Sequence, residues 1–344
     1  MKEGISLIIS CYNSEKLIKP TLEHIANLDI SGGFPVELLI IDNASTDLTS
    51  SLAKEIWDKL GNPFPARIIY EAKQGLIHVR NTGFKKAEYE YIVFVDHDNW
   101  LDKDYVQNVF RLFKENSNAG AIGGYNIPVF ESEKPFWFDT FQNWYAVGKL
   151  ADYAGVPDEI GVFGAGLSIR KSIHETLSKN GFKSMLAGRD GKSLNSGEDY
   201  ELCKAIKIAG WDILYFPELQ LQHFLETKRL KWEYFRELNK GESRSLIYFL
   251  AYEYWIAKDV MPKKPLLGLR FSWSFLVLKN IIKIVLLKTK MAFNPELKKE
   301  GSSLLISLER EQILFGDLMK KRIEYISLKK SIGKAKWRNF VHSL

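Results

Sequence analysis

Two aspartates follow a strongly apolar stretch of the chain. Residues 91–100 read YIVFVDHDNW, and the β-branched side chains of the first half predict a strand buried on both faces. In an extended chain the side chains of Asp96 and Asp98 point to the same side, about 6 to 7 Å apart. Paired carboxylates of this kind suit a hard divalent cation. The plainer interpretation is a solvated turn in which Asp98 caps the next helix.

Three other predicted strands are also followed by polar side chains. Asp42 can accept the imide hydrogen of a uracil or thymine base, and Lys73 and Arg80 can meet phosphate oxygens. Each of these side chains, taken alone, is more simply solvated or part of a turn. Ligands of open α/β sheets lie beyond the carboxyl ends of the strands. Four successive strand ends with groups for a base, a diphosphate and a cation therefore favour a nucleotide site.

Two further candidate sites lie in the second half of the chain. Glu198 and Asp199 precede a predicted helix with one apolar face. Because the helix dipole favours carboxylates in the first turn, capping alone would explain this pair. His223 ends another predicted strand, in the segment LQLQHF, although a single histidine is more often packed or exposed than a ligand.

The elements that would position these side chains alternate regularly. Apolar runs predict strands at residues 5–9, 36–41, 67–70 and 91–95, and a helical spacing of apolar residues follows each of the first three. Such alternation predicts an α/β fold in which helices cover both faces of a mostly parallel sheet.

These motifs, in this order and spacing, resemble those of the family 2 glycosyltransferases with the GT-A fold. The similar segments are SCYNSEKLIKPTLEHI from residue 10, IIDNASTDLT from residue 40, KQGLIHVRNTGF from residue 73 and DHDN from residue 96. The resemblance covers about residues 4–225. It implies a GT-A-type sheet with a Rossmann-like nucleotide-binding half and an acceptor half, followed by a helical C-terminal extension.

The resemblance also implies roles for individual residues. Asp199, in the pair with Glu198, would be the base that removes the proton of an acceptor hydroxyl. Asp98, with Asp96 and His223, would hold a divalent cation, Mn²⁺ or Mg²⁺, and Asp96 is assigned first to the ribose or to a metal-bound water. The residues assigned to the nucleotide sugar are Ser10, Tyr12, Asn13, Asp42, Lys73, Gly75, Arg80, Asp96, Gly164, Ala165 and Gly166.

Two positions depart from the family pattern. Ser10 stands where Pro or Thr is usual, and Asn43 replaces a second acidic residue after Asp42. The second departure is compatible with a base contact at Asp42 but weakens the case for a strictly uridine donor. A UDP-sugar is the first expectation, and dTDP- and GDP-sugars are the alternatives.

Charge divides the chain into two parts. Residues 1–227 hold 23 basic and 31 acidic residues, a net charge of −8, whereas residues 228–344 hold 25 and 11, a net charge of +14. We therefore predict a GT-A catalytic domain at 1–227, with halves at about 1–118 and 119–227. The basic, mostly helical region at 228–344 would serve membrane association or oligomerisation.

Bulk composition excludes some classes of protein. A hydrophobic content of 46% without repeats or low-complexity tracts argues against a disordered or solenoid protein. Two cysteines, Cys11 and Cys203, in dissimilar contexts favour a reducing compartment. The first residues have no small-residue cleavage site, so we expect no signal peptide.

A basic amphipathic segment lies in the C-terminal region. Residues 263–291 include seven basic and no acidic side chains, with Lys279 and Lys283 on one helical face and Ile282 on another. Because charges interrupt the apolar run, we predict an interfacial helix on an anionic membrane surface rather than a spanning one. The alternative is a helix packed on the catalytic body. No motif of a nucleic-acid-binding fold accompanies the charge, so we expect no nucleic-acid partner.

Two other segments carry weaker predictions. Beyond Pro295 the pattern predicts one more amphipathic helix, a candidate homo-oligomer contact. The aromatic cluster at 136–145 is most simply core, although Trp137 or Trp144 could stack on an acceptor sugar.

Taken together, the motifs predict an inverting, metal-dependent glycosyltransferase that acts on a glycan or lipid-linked acceptor. We expect it to serve cell-surface polysaccharide or lipid-linked glycan synthesis, peripherally at the cytoplasmic face of the cell membrane. One alternative is a sugar-nucleotide pyrophosphorylase, which would need a glycine-rich basic loop after the first strand, where this chain has SCYNSE. The other is a membrane-docked, non-catalytic scaffold, which would be expected to lose the carboxylates that this chain retains.

Overall fold

A computed structural model describes residues 2–157, 160–189, 194–260 and 266–338. The strands are β1 Lys2–Cys11, β2 Val36–Asp42, β3 Ala66–Tyr70, β4 Tyr89–Asp96, β5 Asn99–Leu101, β6 Ala119–Phe130, β7 Ser168–Arg170 and β8 Asp212–Leu225. The helices are α1 Ile18–Ala26, α2 Thr49–Lys59, α3 Leu76–Lys86, α4 Tyr105–Glu115, α5 Phe138–Phe141, α6 Lys171–Lys179, α7 Glu198–Ile208, α8 Trp232–Ser243, α9 Leu246–Val260, α10 Leu267–Arg270, α11 Trp273–Phe293, α12 Ser303–Lys320 and α13 Arg322–Lys334. Single turns of 3₁₀ helix occur at Gln142–Tyr145, Thr227–Leu230 and Pro295–Lys298.

The strands form one sheet in the order β3-β2-β1-β4-β7-β6-β8-β5. β1 to β4 run parallel, and their register aligns Ser10 with Asp96 and Cys11 with Asp42, as the strand–helix alternation predicts. The whole sheet is mixed, because β7 runs antiparallel to β4 and β6, and β5 runs antiparallel to β8. β5 and β7 therefore join the sheet without the crossover helix that a connection between two parallel strands requires.

Both faces of the parallel strands are buried. Ile8 of β1 packs into one hydrophobic cluster, whereas Leu7 and Ile9 pack into a second cluster on the opposite face. Helix α3 contributes Val79 to the first cluster and α1 contributes Leu22 to the second. The alternation of side chains along a strand therefore explains why helices are needed on both sides.

A third cluster is aromatic and explains most of the segment at 136–145. Trp137 is 2% exposed, with ring centroids 5.2 Å from Trp232 and 5.5 Å from Phe235, and its indole N–H donates to Glu300. The predicted acceptor-side role of Trp137 is wrong, because core packing and this hydrogen bond occupy the ring and its polar atom.

The C-terminal helices share a core with the sheet. Ile247 and Ile256 of α9 belong to the same cluster as Ile8 of β1 and Leu202 of α7. Helix α13 packs in turn on α9 and adds Leu328 to this cluster. The last hundred residues are therefore positioned to form part of the wall of any site near α7.

Helix α11 contains most of the predicted basic segment, whose first residues at 263–265 lie outside the described ranges. It packs against α12. Its buried side chains are Leu276, Asn280, Leu287 and Met291. Its large exposed apolar side chains are Leu278, Ile281, Ile282, Val285, Leu286 and Phe293. One helix thus combines the predicted exposed apolar face with packing on the rest of the protein. Among the described residues, no helix is both long enough and apolar enough to cross a membrane.

The helix predicted beyond Pro295 is two helices in the structure. α12 ends and α13 begins around Lys321, whose backbone is non-helical at φ −110° and ψ 25°. This break redirects the chain so that α13 can pack on α9.

Glu201 joins α7 to α9 and to the loop before α7. It is completely buried, and its carboxylate accepts hydrogen bonds from the N–H groups of Met185 and Leu186, both at 3.0 Å, and from the hydroxyls of Ser184 and Tyr252. The side chain therefore fixes the helix that begins at the Glu198–Asp199 pair.

We predict that Glu201→Ala lowers the free energy of unfolding by about 3 to 5 kcal/mol, because it leaves several buried donors without an acceptor. Tyr252→Phe, which removes one bond to the same carboxylate, should cost about 1 kcal/mol. The exposed Glu115→Ala is the control and should change stability by less than about 0.5 kcal/mol. Urea denaturation followed by circular dichroism measures all three. Equal midpoints for the Glu201 and Glu115 variants would contradict the role given to Glu201.

Candidate functional site

A cavity of about 1010 Å³ lies where the carboxyl ends of the parallel strands meet the start of α7. Most residues predicted for the site line it: Ser10, Tyr12, Arg80, Asp96, Asp98, Gly164, Ala165, Glu198, Asp199 and His223. Of the other predicted residues, all within the described ranges, five lie outside the wall: Asn13, Asp42, Lys73, Gly75 and Gly166. The tertiary structure therefore assembles residues from 10–98 and from 164–223 around one space.

Asp98 and His223 meet because of a turn and a strand pairing. The chain reverses at His97 and Asp98, and β5 then pairs antiparallel with β8, so that Asn99 faces His223. Asp98 Oδ2 lies 3.5 Å from His223 Nε2, and both side chains are buried. The predicted extended geometry, with Asp96 and Asp98 pointing to the same side, is wrong because β4 ends at Asp96.

A buried arginine contacts this pair. Arg229 Nη1 lies 2.9 Å from Asp98 Oδ2 and 3.3 Å from His223 Nε2. Burial alone would raise the pKa of Asp98, but His223 and Arg229 lower it well below its usual range. Asp98 is therefore a buried carboxylate whose charged form is stabilised by its positive neighbours.

Two of the three predicted metal ligands fit a divalent ion. Neighbouring ligands of an octahedral ion lie about 3 Å apart when each is about 2.1 Å from the metal, and the Asp98–His223 separation is close to this value. A carboxylate oxygen and an imidazole nitrogen are also donors that Mn²⁺ accepts. Within the described residues, however, no group of three such side chains is arranged to hold an ion. The structure therefore does not place Asp96 with Asp98 and His223 as a third ligand.

Arg80 is paired with a carboxylate. Its Nη1 lies 3.2 Å from Glu198 Oε1, and both side chains are at most 6% exposed. Burial raises the pKa of Glu198 to about 7, against the lowering effect of Arg80. The phosphate contact predicted for Arg80 stays a prediction, since its partner in the structure is Glu198.

Asp199 faces the cavity beside this pair. It is half-buried, and its Oδ1 accepts a hydrogen bond of 2.9 Å from the N–H of Tyr200. A Cβ at Gly164 would lie 2.6 Å from both Asp199 Oδ2 and Arg80 Nη2, so a glycine is required for the close approach of these groups. The second carboxylate oxygen of Asp199 is therefore directed into the cavity wall at Gly164.

Gly166 does not line the cavity, and its contact with the nucleotide sugar stays a prediction. Its φ is +79°, and a Cβ there would lie 2.5 Å from the hydroxyl of Tyr105, which donates to the Gly166 carbonyl at 2.8 Å. This glycine shapes the loop under Gly164 and packs against α4 rather than lining the cavity.

The loops predicted to bind the base are fastened to each other. Asp42 Oδ1 accepts from the N–H of Ser45 at 2.9 Å, and its Oδ2 accepts from the hydroxyl of Ser50 at 2.5 Å. Asn13 Oδ1 accepts from the N–H of Thr46 at 2.8 Å. A contact between Asp42 and a base stays a prediction. In the structure Asp42 fixes the segment between β2 and α2, and Asn13 joins that segment to the loop after β1.

Asn43 fixes the next loop. Its side-chain amide donates to the carbonyl of Lys73 at 2.6 Å, and its Oδ1 accepts from the N–H of Gly75 at 2.7 Å. Lys73 is itself exposed. The sequence position that departs from the family pattern thus has a structural partner, and Asn43, unlike Asp42, lines the cavity.

One wall of the cavity comes from the C-terminal helices. Trp144, Glu242, Phe249 and Arg310 line it, and the Arg310 guanidinium lies 5.2 Å from the ring centre of Trp144. Burial, with the charge of Asp199, raises the pKa of Glu242 to about 8. Sequence reasoning named Trp144 but missed the others, because their helices carry no motif.

Arg229 is the most important residue that the sequence analysis missed. It lies in the segment TKRLK, where basic side chains are common and most are exposed, as Lys228 is. The sequence signal that could have indicated its role is its position six residues after His223, the candidate ligand near the end of β8.

Comparisons with known proteins agree with this geometry. A family profile described as glycosyl transferase family 2 matches residues 6–177. The chain is 27% identical over 182 residues to glycosyltransferase GlyA of Streptococcus pneumoniae, over 52% of this chain and 23% of that protein. It is 32% identical over 123 residues to poly-beta-1,6-N-acetyl-D-glucosamine synthase of Staphylococcus epidermidis, over 36% of this chain and 28% of that protein. The matched segments therefore span less than a third of these relatives.

A solved structure shares the fold. The mannosyltransferase PcManGT of Pyrobaculum calidifontis, solved with GDP-Man and Mn²⁺, aligns with a TM-score of 0.58 and 16% identity, over 94% of this chain and 88% of that one. The alignment extends through the helical C-terminal part, so the architecture of the whole chain has a GT-A-like counterpart.

The pKa of Glu242 generates a prediction about stability. An unfolded glutamate titrates near pH 4.3, so between about pH 4.5 and 8 the folded protein holds a proton that the unfolded chain releases. The resulting contribution to the free energy of unfolding is complete below pH 4.5 and is lost as the pH rises through 8. Glu242→Gln cannot lose that proton, so its thermal midpoint should fall less between pH 6 and 9 than that of the wild type. The exposed Glu218→Gln is the control, and parallel curves for Glu242→Gln and wild type would refute the assignment.

Proposed function

Since this chain belongs to glycosyl transferase family 2, we propose that it moves a sugar from a nucleotide diphosphate to an acceptor hydroxyl, with inversion at the anomeric carbon. The observation that carries the proposal is the position of Asp199. Its carboxylate faces the same cavity as the strand ends after β1 and β4, next to the Gly164 turn.

The reaction is a single displacement. Asp199 takes the proton of the acceptor hydroxyl while the acceptor oxygen forms a bond to the anomeric carbon. The bond between that carbon and the diphosphate oxygen breaks on the opposite side, and the nucleoside diphosphate leaves. Glu198 is the weaker candidate for the base, because it is buried against Arg80.

The donor would lie along the strand ends. Ser10 and Tyr12 line the cavity at the end of β1, and Asp96 lines it at the end of β4, a position suited to a ribose hydroxyl. A UDP-sugar is the first candidate, and dTDP- and GDP-sugars are the alternatives. A divalent ion, Mn²⁺ or Mg²⁺, would be held by Asp98 and His223 and would stabilise negative charge on the leaving diphosphate.

The acceptor would enter from the C-terminal wall. Phe249, Ile256 and Phe271 give this wall an apolar part, while Glu242 and Arg310 are suited to sugar hydroxyls. Such a mixture suits a glycan or lipid-linked acceptor of cell-surface polysaccharide synthesis. One relative is named as a poly-beta-1,6-N-acetyl-D-glucosamine synthase, which supports this setting.

The outer face of α11 supports attachment to the inner surface of the cell membrane. Its exposed apolar side chains lie on a helix with four lysines and no acidic residue. Burial of the apolar face and attraction of the lysines to anionic lipid would then both contribute to the free energy of membrane binding.

The proposed base gives a direct test of function. Asp199→Asn should reduce sugar transfer by a factor on the order of 10² to 10⁴ while leaving nucleotide affinity nearly unchanged. The assay is the release of UDP, dTDP or GDP from a panel of nucleotide sugars, with and without EDTA. Asp58→Asn, an exposed substitution on α2, is the matched control. Loss of nucleotide affinity in parallel with rate would mark Asp199 as structural, and no release from any donor would contradict the function.

Membrane attachment is tested by charge reversal on the exposed face. Lys283 forms an ion pair with Glu311, so the suitable positions are the exposed Lys279 and Lys288. Replacing both with Glu should release the protein from vesicles that contain anionic lipid, since each lysine contributes about 1 kcal/mol near such a surface. High salt should weaken wild-type binding only in part, because it screens charges but not apolar burial.

Lys54→Glu with Lys103→Glu makes the same change of charge on the catalytic body and is the control in the flotation assay. Wild-type protein that ignores anionic vesicles, or control and test variants that behave alike, would contradict the attachment.

A further inference from the structure

The guanidinium of Arg229 occupies the position that a divalent ion would take. Its Nη1 contacts Asp98 Oδ2 at 2.9 Å and His223 Nε2 at 3.3 Å, the two atoms best suited to bind the ion. An ion bonded to both atoms on the guanidinium's side would overlap with Nη1, and an ion bonded to them from another side would be repelled by the charge of Nη1, so the two cations would compete. We propose that Arg229 is a tethered cation that holds the divalent site when no ion is bound and moves onto the donor diphosphate when one binds.

Only the side chain would have to move. The N–H of Arg229 donates to the carbonyl of Glu226 at 2.8 Å, and the Arg229 carbonyl accepts from the hydroxyl of Tyr145 at 2.9 Å. Tyr145 is itself buried in the aromatic cluster. The backbone is therefore fixed, and rotation about the side-chain bonds of Arg229 is enough to exchange the two cations.

The guanidinium also has unused bonding capacity. Arg229 Nε is buried and has no hydrogen-bond partner among the described residues, and the same is true of His223 Nδ1. Arg229 lines the cavity on the side of Asp98. A side chain that is 8% exposed, yet leaves a donor unpaired, is expected to find a better partner in another state of the site.

Electrostatics favour the exchange in both directions. Without an ion, the buried Asp98 carboxylate needs a positive partner, and Arg229 supplies it. With an ion on Asp98 and His223, the guanidinium would be repelled by a second cation and drawn to the diphosphate, whose oxygens match its planar donors. Ion and nucleotide should therefore bind cooperatively, because each one stabilises the displaced position of Arg229.

This inference rests on the proposed function only for the diphosphate end of the movement. Competition between Arg229 and the ion depends on the contacts with Asp98 and His223 alone. The competing interpretation is that Arg229 is a permanent counter-ion of Asp98. Its removal would then also raise the ion affinity, through charge alone, but the nucleotide would change the ion affinity of the wild type and of Arg229→Gln by the same factor.

The test is a Mn²⁺ titration of the full chain, with free ion followed by electron paramagnetic resonance. Without nucleotide, Arg229→Gln should bind Mn²⁺ at least about tenfold more tightly than the wild type, since no tethered cation has to be displaced. Lys228→Gln removes the same charge from the exposed neighbouring residue, which pairs with Glu226, and should change the affinity by less than about twofold. A folded Arg229→Gln protein whose Mn²⁺ affinity equals or falls below that of the wild type overturns the proposal.

A second titration, in the presence of UDP, of GDP and of dTDP in turn, tests the coupling. The nucleotide should raise the Mn²⁺ affinity of the wild type about tenfold more than that of Arg229→Gln, and formation of the Mn²⁺–nucleotide complex in solution cancels in this ratio. Equal ratios would overturn the movement onto the diphosphate. If UDP, GDP and dTDP, each titrated in this way, all fail to bind any form of the protein, the proposed function fails, while the titration without nucleotide still decides whether Arg229 competes with the ion.

Arg229→Lys covers the case in which the glutamine variant does not fold. An ammonium on a shorter chain keeps the positive charge but cannot contact Asp98 and His223 with the same geometry. Its Mn²⁺ affinity should lie above that of the wild type, and an affinity equal to the wild type would count against the exchange.

Discussion

A buried carboxylate must be paired with a positive charge, satisfied by hydrogen-bond donors or protonated, and pairing with buried arginines organises the cavity. Asp98 and Glu198 come from opposite sides of the site, and each is paired with a buried arginine, Arg229 and Arg80 respectively. The pairs differ in their surroundings. Glu198 retains a raised pKa in spite of Arg80, whereas Asp98 is held ionised by His223 and Arg229. The same physical requirement thus produces one carboxylate that can exchange a proton near neutrality and one that stays charged.

These two pairs depend on elements from the whole chain. Asp98 lies after β4, and its partners come from β8 and the 3₁₀ turn that follows. Glu198 begins α7, which Glu201 fastens to α9, while Arg80 lies on α3. Because the arginines are buried, any shift of α3, α7 or the turn at Arg229 would leave a charge unpaired, at a cost of several kcal/mol. The rigidity of the surrounding core is therefore part of the electrostatics of the site.

The C-terminal helices complete the molecule in two ways. Toward the sheet, α8, α9 and α12 give the cavity a wall. It contains Arg310, whose guanidinium lies over the ring of Trp144, and Glu242, whose pKa is raised by burial. Away from it, α11 presents exposed apolar side chains, and the exposed Lys279 and Lys288 belong to the same helix. The acidic residues 1–227 and the basic residues 228–344 thus differ in their location in the molecule. Their hydrophobic core is nevertheless continuous across residue 227.

The sequence alone determined the parallel strands, the helices between them and the location of the motifs at strand ends, because these depend on local periodicity and on turn chemistry. Ten of the predicted site residues line one cavity for that reason. The sequence could not determine which of these site residues pair with each other. The turn at His97, the antiparallel pairing of β5 with β8 and the burial of Trp137 are set by contacts between distant segments. Arg229 shows the limit most clearly, since an arginine in a basic segment has no local signal of burial, and only the tertiary structure decided that it would neutralise Asp98.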